Sequence, residues 1–372
     1  TLYENILRVA TDLQEQENTD RAIIRWQSGY GAANTTRTMA AHYLAVYRDL
    51  LRDPTTVPGT GTRAHVAVVC PAGRNLSQAY ASTAIRVWER TRNSIARDVS
   101  FTRMTPETLL AAVKEGMVDA AVIQRTALPR MIVPRVLEAM SNAGVPFSFD
   151  IDDDLLNVPV EKDPQGKYSS YRPALTQLLD KAAVVTVTTD VLAKKLKAPG
   201  RQLEVLPNRL SNRLWSYAPL PRVVDDMIRA LYMGTATHDE DLALIMPALE
   251  QIAASSPTFR LMLIGVSTDA SVIAGRERWI ERIEVPLEAK NYDIFVGWLR
   301  SQAARADFGL APLTDATFNL CKSPLKVLDY AALGLPILAS NHPVYQNEWH
   351  DAPGLTLVDS KSDDWHKALE AK

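Results

Sequence analysis

Short apolar runs recur along this chain at intervals that leave room for one amphipathic helix between neighbours, and that alternation restricts the fold more than any other feature. His65 to Cys70, Asp119 to Ile123, Pro146 to Ile151, Ala183 to Val187 and Leu203 to Leu206 read as strands. They are apolar nearly throughout, as strands buried on both faces must be. Helical patterns such as Ser77 to Thr91 and Pro129 to Ala143 separate them. A second series follows, with strands at Arg229 to Gly234, Arg260 to Gly265, Ile283 to Val285, Phe308 to Ala311, Pro336 to Ser340 and Leu355 to Val358. Its helices are Asp239 to Ala254, Tyr292 to Ala304 and Pro324 to Leu333. Such alternation predicts parallel, doubly wound sheets, and 372 residues suffice for two buried cores. The expected class is therefore α/β, with two Rossmann-like doubly wound domains facing across a cleft.

Residues 1–62 stand apart. Leu2, Ile6, Val9, Ala10 and Leu13 fall at helical spacing, and Pro54 to Thr62 holds two prolines and two glycines, so a helical extension and linker are expected there. The first domain is assigned to 63–215 and the second to 216–372. The stretch Pro207 to Val224, rich in Pro, Asn and Arg, is the expected hinge. A first residue Thr and a last helical pattern from Asp363 to Lys372 that stops short suggest a trimmed chain or a segment of a longer polypeptide.

A formal net charge of −2 argues against a dedicated nucleic-acid binder. Cys70 and Cys321 are the two cysteines, too few for a disulfide framework or a Cys-rich metal site. With no apolar run near the roughly 18–20 residues that span a bilayer, and no signal peptide, the expected location is cytoplasmic. Neither a Gly-x-Gly-x-x-Gly after the first strand nor a Walker sequence is present, which disfavours dinucleotide oxidoreductases and triphosphatases.

The richest segment runs from Phe318 to Pro336. Ser323 suits an N-cap, Pro324 the first helical position and Gly334 a left-handed close, which predicts a helix from Pro324 to Leu333. Its opening amides, at Leu325 and Lys326, carry the positive end of the helix dipole, and Lys322 and Lys326 add full charges. That arrangement suits a diphosphate. About one turn on, Asp329 is placed to accept hydrogen bonds from two sugar hydroxyls. An ordinary capped helix is the alternative.

Several motifs in fixed order resemble the retaining glycosyltransferases of the GT-B fold in family four, in the bacterial polysaccharide branch with a Lys-Ser motif. They are FDIDDDL (Phe149 to Leu155), VTVTTDVLAKKL (Val185 to Leu196), VLPN (Val205 to Asn208), LYMGTATHDEDL (Leu231 to Leu242) and the segment from Asp307 to Ser340, with TLVD and DDWHKAL near the end. The resemblance implies an acceptor-side first domain and a second domain that binds a nucleoside-diphosphate sugar. It also implies transfer to a carbohydrate or glycolipid hydroxyl with retention, no metal, no cofactor beyond the donor, and peripheral contact with the inner membrane face. Its Glu-x7-Glu pair matches Cys321 and Asp329, so a cysteine stands where the first acid is expected, with Asn319 or Lys322 as substitutes. The family's Arg after the first glycine of the second domain is missing: Gly234 is followed by Thr235 and, further on, His238. Gly265, closing the next strand, joins these donor-site candidates.

Asp150, Asp152, Asp153 and Asp154 leave two readings open. Paired carboxylates after a strand can hold a divalent cation against a diphosphate. The resemblance instead puts Asp152 or Asp153 in the catalytic cleft, beside the sugar and acceptor. The loop Pro71 to Ser77, with Gly73 and Arg74, resembles the loop that closes over acceptor and donor, though a plain strand-to-helix turn fits equally. Two other functions stay open: a catalytically silent nucleotide-sugar-binding module of a larger assembly protein, and a two-domain nucleotide-sugar epimerase.

Overall fold

The computed structural model describes residues 64–72, 76, 78–92, 99–234, 239–265, 274–349, 352–359 and 362–370. The expected helical extension and linker lie outside these residues, as do Gly73, Arg74, Thr235 and His238.

Two six-stranded sheets, parallel at every pairing, form the frame. The first holds β1 (Ala64–Val69), β2 (Val99–Arg103), β3 (Ala120–Gln124), β4 (Phe147–Ile151), β5 (Val184–Val187) and β6 (Leu203–Val205), in the order β2-β1-β3-β4-β5-β6. The second holds β7 (Ile228–Met233), β8 (Phe259–Ile264), β9 (Ile280–Ile283), β10 (Phe308–Ala311), β11 (Ile337–Ser340) and β12 (Leu355–Val358), in the order β12-β11-β10-β7-β8-β9. Every residue of β3 and β4 is buried, which is why those runs carry no polar alternation. Strand order reverses at β1 and β3 in one sheet and at β7 and β10 in the other, and each reversal opens a crevice at the strands' carboxyl ends.

The first sheet carries α1 (Pro106–Lys114), α2 (Val133–Ala143), α3 (Lys167–Lys181) and α4 (Asp190–Leu196), and the second carries α5 (Asp239–Ser255), α6 (Tyr292–Ala303), α7 (Leu325–Ala332), α8 (Pro343–Trp349) and α9 (Ser362–Glu370). Differences from the sequence reading have local causes. β2 has no counterpart there, because its VSFTR lies at a sheet edge, buries only Val99 and Phe101 and so lacks an apolar run. β9 begins three residues before the expected Ile283 to Val285 and ends at Ile283. In place of a long helix from Ser77 to Thr91 there is one turn at Ala81–Thr83 that widens into the π-helix Ala84–Trp88, whose five residues, Arg86 included, are all buried.

One apolar cluster joins the two sheets. It runs from Val66, Val68 and Val122 through Leu214 and Trp215 to Leu231, Met262 and Tyr292. The expected hinge supplies part of it: Asn212–Trp215 forms a helical turn with Leu214 and Trp215 buried. Arg213 in that turn pairs with Glu89 of the first domain at 2.8 Å and Asp293 of the second at 2.7 Å. The stretch is thus fastened to both domains.

Candidate functional site

A cavity of about 820 Å³ lies between the domains at the carboxyl ends of the strands. That volume is in the usual range of roughly 300–1,000 Å³ for ligand sites. On the second-domain side its floor depends on close backbone approach. Gly265 has φ +69°, and a Cβ there would stand 2.7 Å from the Gly234 carbonyl oxygen, so only glycine lets the ends of β7 and β8 meet. Both glycines line the cavity. Gly309 of β10 plays a related part, since a Cβ there would collide with the Tyr330 ring at 2.5 Å. The Tyr330 hydroxyl accepts the Met233 amide at 3.0 Å, tying α7 to the end of β7.

The start of α7 differs from the sequence reading by one position. Pro324 is the N-cap rather than the first helical residue, and no side chain caps the helix. Ser323 does not act as the cap because its hydroxyl is taken across the cleft: it accepts from Asn208 Nδ2 at 2.7 Å. Gly334 follows at φ +74° and closes the helix as expected. Lys322, Ser323, Leu325, Lys326 and Asp329 all line the cavity; Pro324 is not among its lining residues.

These groups are held under electrostatic tension. Burial pushes the Lys326 ammonium down to about 7; Asp241 pulls it up, while Lys322 and Lys162 push it further down. Burial lowers Lys322 as well. Burial drives the Asp329 carboxyl well above the usual carboxylate range, and its Oδ1 is buried with no hydrogen-bond partner among the described residues. An unmet buried carboxylate oxygen costs free energy unless a ligand donates to it.

Two candidates stand elsewhere. The Cys321 side chain is fully buried in the apolar cluster of the first domain, where burial raises its thiol, and it does not line the cavity. Its carbonyl accepts from Thr189 Oγ1 at 3.1 Å, so the residue fixes the loop before α7 against the first domain. Asn319 is also buried away from the cavity. It donates from Nδ2 to Asp241 Oδ1 at 3.2 Å and to Thr314 Oγ1 at 2.8 Å. Asp241, in the first turn of α5, also accepts from the Thr314 amide at 2.9 Å.

The first-domain wall is built from β3 and β4. Arg125 follows β3 with a left-handed φ of 47°, uncommon for a side chain of that size. Its Nη1 pairs with Asp152 at 2.6 Å and Asp153 at 3.6 Å. Ser82 donates to Asp152 at 2.7 Å. Burial and the Asp152 charge push Asp153 up to about 6, against the pull of Arg125 and Lys322. Behind this wall, Asp150 is fully buried against Arg86 at 2.6 Å and accepts from Thr186 at 2.7 Å. Asp154 pairs with Lys195 at 3.0 Å. The four aspartates therefore divide among Arg86, Arg125 and Lys195, and no metal-ligating group of three or more His, Cys, Asp or Glu forms among the described residues.

Arg125, Lys162, Asn208 and Asp241 belong to this site or its support without having been singled out from sequence. Asn208 and Asp241 lay inside quoted motifs, whereas Arg125 and Lys162 carry no motif signal.

No family model and no curated protein matches the sequence. Solved structures do match. A glycosyltransferase from Rickettsia africae aligns with TM-score 0.52 at 11% identity, over 83% of this chain and 88% of the other. HepE from Anabaena, solved with UDP-glucose, aligns with TM-score 0.50 at 10% identity, over 83% and 89%. TarM from S. aureus aligns with TM-score 0.50 at 8% identity, over 70% of this chain but only 50% of its own length. At such identities the likeness speaks for architecture. The chain has the GT-B fold: two Rossmann-like domains facing across a cleft. Among the described residues no helix is long and apolar enough to cross a membrane.

Proposed function

We propose that the chain is a glycosyltransferase that moves a sugar from a nucleoside diphosphate to a hydroxyl of a carbohydrate or glycolipid. The observation that carries this reading is the grouping of Lys322, Lys326 and Asp329 on one wall of the interdomain cavity, with Asp329 Oδ1 buried and without a hydrogen-bond partner among the described residues. The ribose would donate to Asp329, and the diphosphate would lie against the first turn of α7 and the two lysines. A uridine diphosphate donor is supported by the ligand of HepE.

In the reaction, the bond between the anomeric carbon and the diphosphate oxygen breaks and the acceptor oxygen bonds to that carbon. Lys322, Lys326 and the α7 amides stabilise the charge gathering on the departing oxygen. The acceptor proton passes to a diphosphate oxygen on the same face, giving retention without a dedicated base or a metal. Asp152 and Asp153, set by Arg125, orient the acceptor. Family-four membership and a glycan-assembly role rest on the motif resemblance.

Incubation with UDP-glucose and related donors, with glycan or glycolipid acceptors and excess chelator, should release nucleoside diphosphate and yield a product of unchanged anomeric configuration. Inversion, or a strict metal requirement, would overturn those parts. The removal of Cys321 from the cavity favours a second reading, a silent module that binds donor without turnover; binding with no release would select it.

A further inference from the structure

Lys162 belongs to the first domain, at the end of the 3-10 turn Val160–Lys162, yet its side chain reaches across the cleft and is only 5% exposed. Its ammonium lies 3.1 Å from Glu240 Oε2 in the first turn of α5. It also stands 6.0 Å from the centre of the Phe318 ring, and Lys322, from the second domain, stands 5.7 Å from the centre of that ring. Lys162 lines the interdomain cavity together with Lys322 and Lys326, and its charge opposes protonation of both. Three ammonium groups from two domains thus share one cavity and repel one another. An anion between them would lower the energy of all three. Glu240 is a weak holder for Lys162, because its side chain is 48% exposed and solvent screens such a pair.

We propose that Lys162 is a cross-cleft phosphate clasp that leaves Glu240 for the diphosphate of the bound donor, so that the first domain grips the leaving group. This rests on the donor reading above. Glu240 then competes with the ligand for one ammonium, and the two partners of the ion pair have opposite effects on affinity. A merely structural ion pair would not behave so, since losing either partner breaks it equally.

The test is calorimetric titration of wild type, Lys162→Met and Glu240→Gln with UDP, GDP, ADP and dTDP, each beside its nucleoside. For the diphosphate that wild type binds, Lys162→Met should weaken affinity about tenfold, the loss of one charge-assisted contact, and Glu240→Gln should strengthen it severalfold. Affinity for the matching nucleoside should be equal in all three, which also shows that the variants keep the folded site. Unchanged diphosphate affinity in Lys162→Met, or equal weakening in both variants, would overturn the clasp. A wild type that binds none of the four diphosphates would instead overturn the donor reading, and the clasp with it.

Discussion

The two walls of the cleft hold charge in opposite conditions. On the first-domain wall Asp152 and Asp153 share Arg125, and behind them Asp150 is locked to Arg86. On the second-domain wall Lys322 and Lys326 are pushed toward their neutral forms, Asp329 toward its acid form, and one Asp329 oxygen has no partner among the described residues. On the first wall each of these carboxylates thus has a guanidinium beside it. The second buries two lysines and a carboxyl against their charged forms, and a ligand that pairs with them would relieve that tension. The proposed donor contacts accordingly gather on the second-domain wall, with Lys162 reaching to them from the first domain.

The largest effect expected from this contrast is on stability. Arg86→Ala strands the fully buried Asp150 and removes the contacts of Arg86 to the Leu206 carbonyl and Asn208, which should cost about 3–5 kcal/mol in chemical denaturation. Lys326→Met, on the other wall, should leave the stability of the free protein unchanged or raised, while diphosphate affinity falls tenfold or more. Comparable destabilisation by both variants would erase the contrast.

A smaller effect lies in pH. Lys326 titrates near 7 in the free protein among Asp241, Lys322 and Lys162, and a bound diphosphate favours its ammonium form. Below pH 7 the proton is already present and affinity should be flat in this group. Between pH 7 and 9 binding must take up the proton, so affinity should fall by up to tenfold per pH unit. Lys326→Met should flatten that decline; an equally steep profile in the variant would assign it to another group.

Much of the frame was legible because parallel strands buried on both faces leave long apolar runs, and β10 and β12 fall on the residues read from sequence. β2 was not, since an edge strand buries only part of its surface. In the site, Lys322, Lys326 and Asp329 were legible because they lie within one helical turn or two of each other. Arg125 and Lys162 were not: they come from separate turns of the first domain, and only the tertiary fold brings them to the cavity. Ser323 illustrates the opposite failure. Its local pattern is that of a helix cap, but Asn208, 115 residues earlier, claims its hydroxyl. Cys321 occupies the position of an expected acid and is instead apolar packing, which local spacing alone does not reveal.

Calorimetric titration of nucleoside diphosphates into wild type and Asp329→Asn tests the assignment of the second-domain wall most directly. Burial pushes Asp329 toward its neutral form, which asparagine resembles in shape and charge, so folding stability should be equal or slightly higher. Asparagine lacks the second oxygen that the ribose hydroxyls require, so affinity should drop about tenfold. Equal affinity in the two proteins, or no binding of any nucleoside diphosphate by wild type, would contradict the placement of a nucleotide-sugar donor in this cleft.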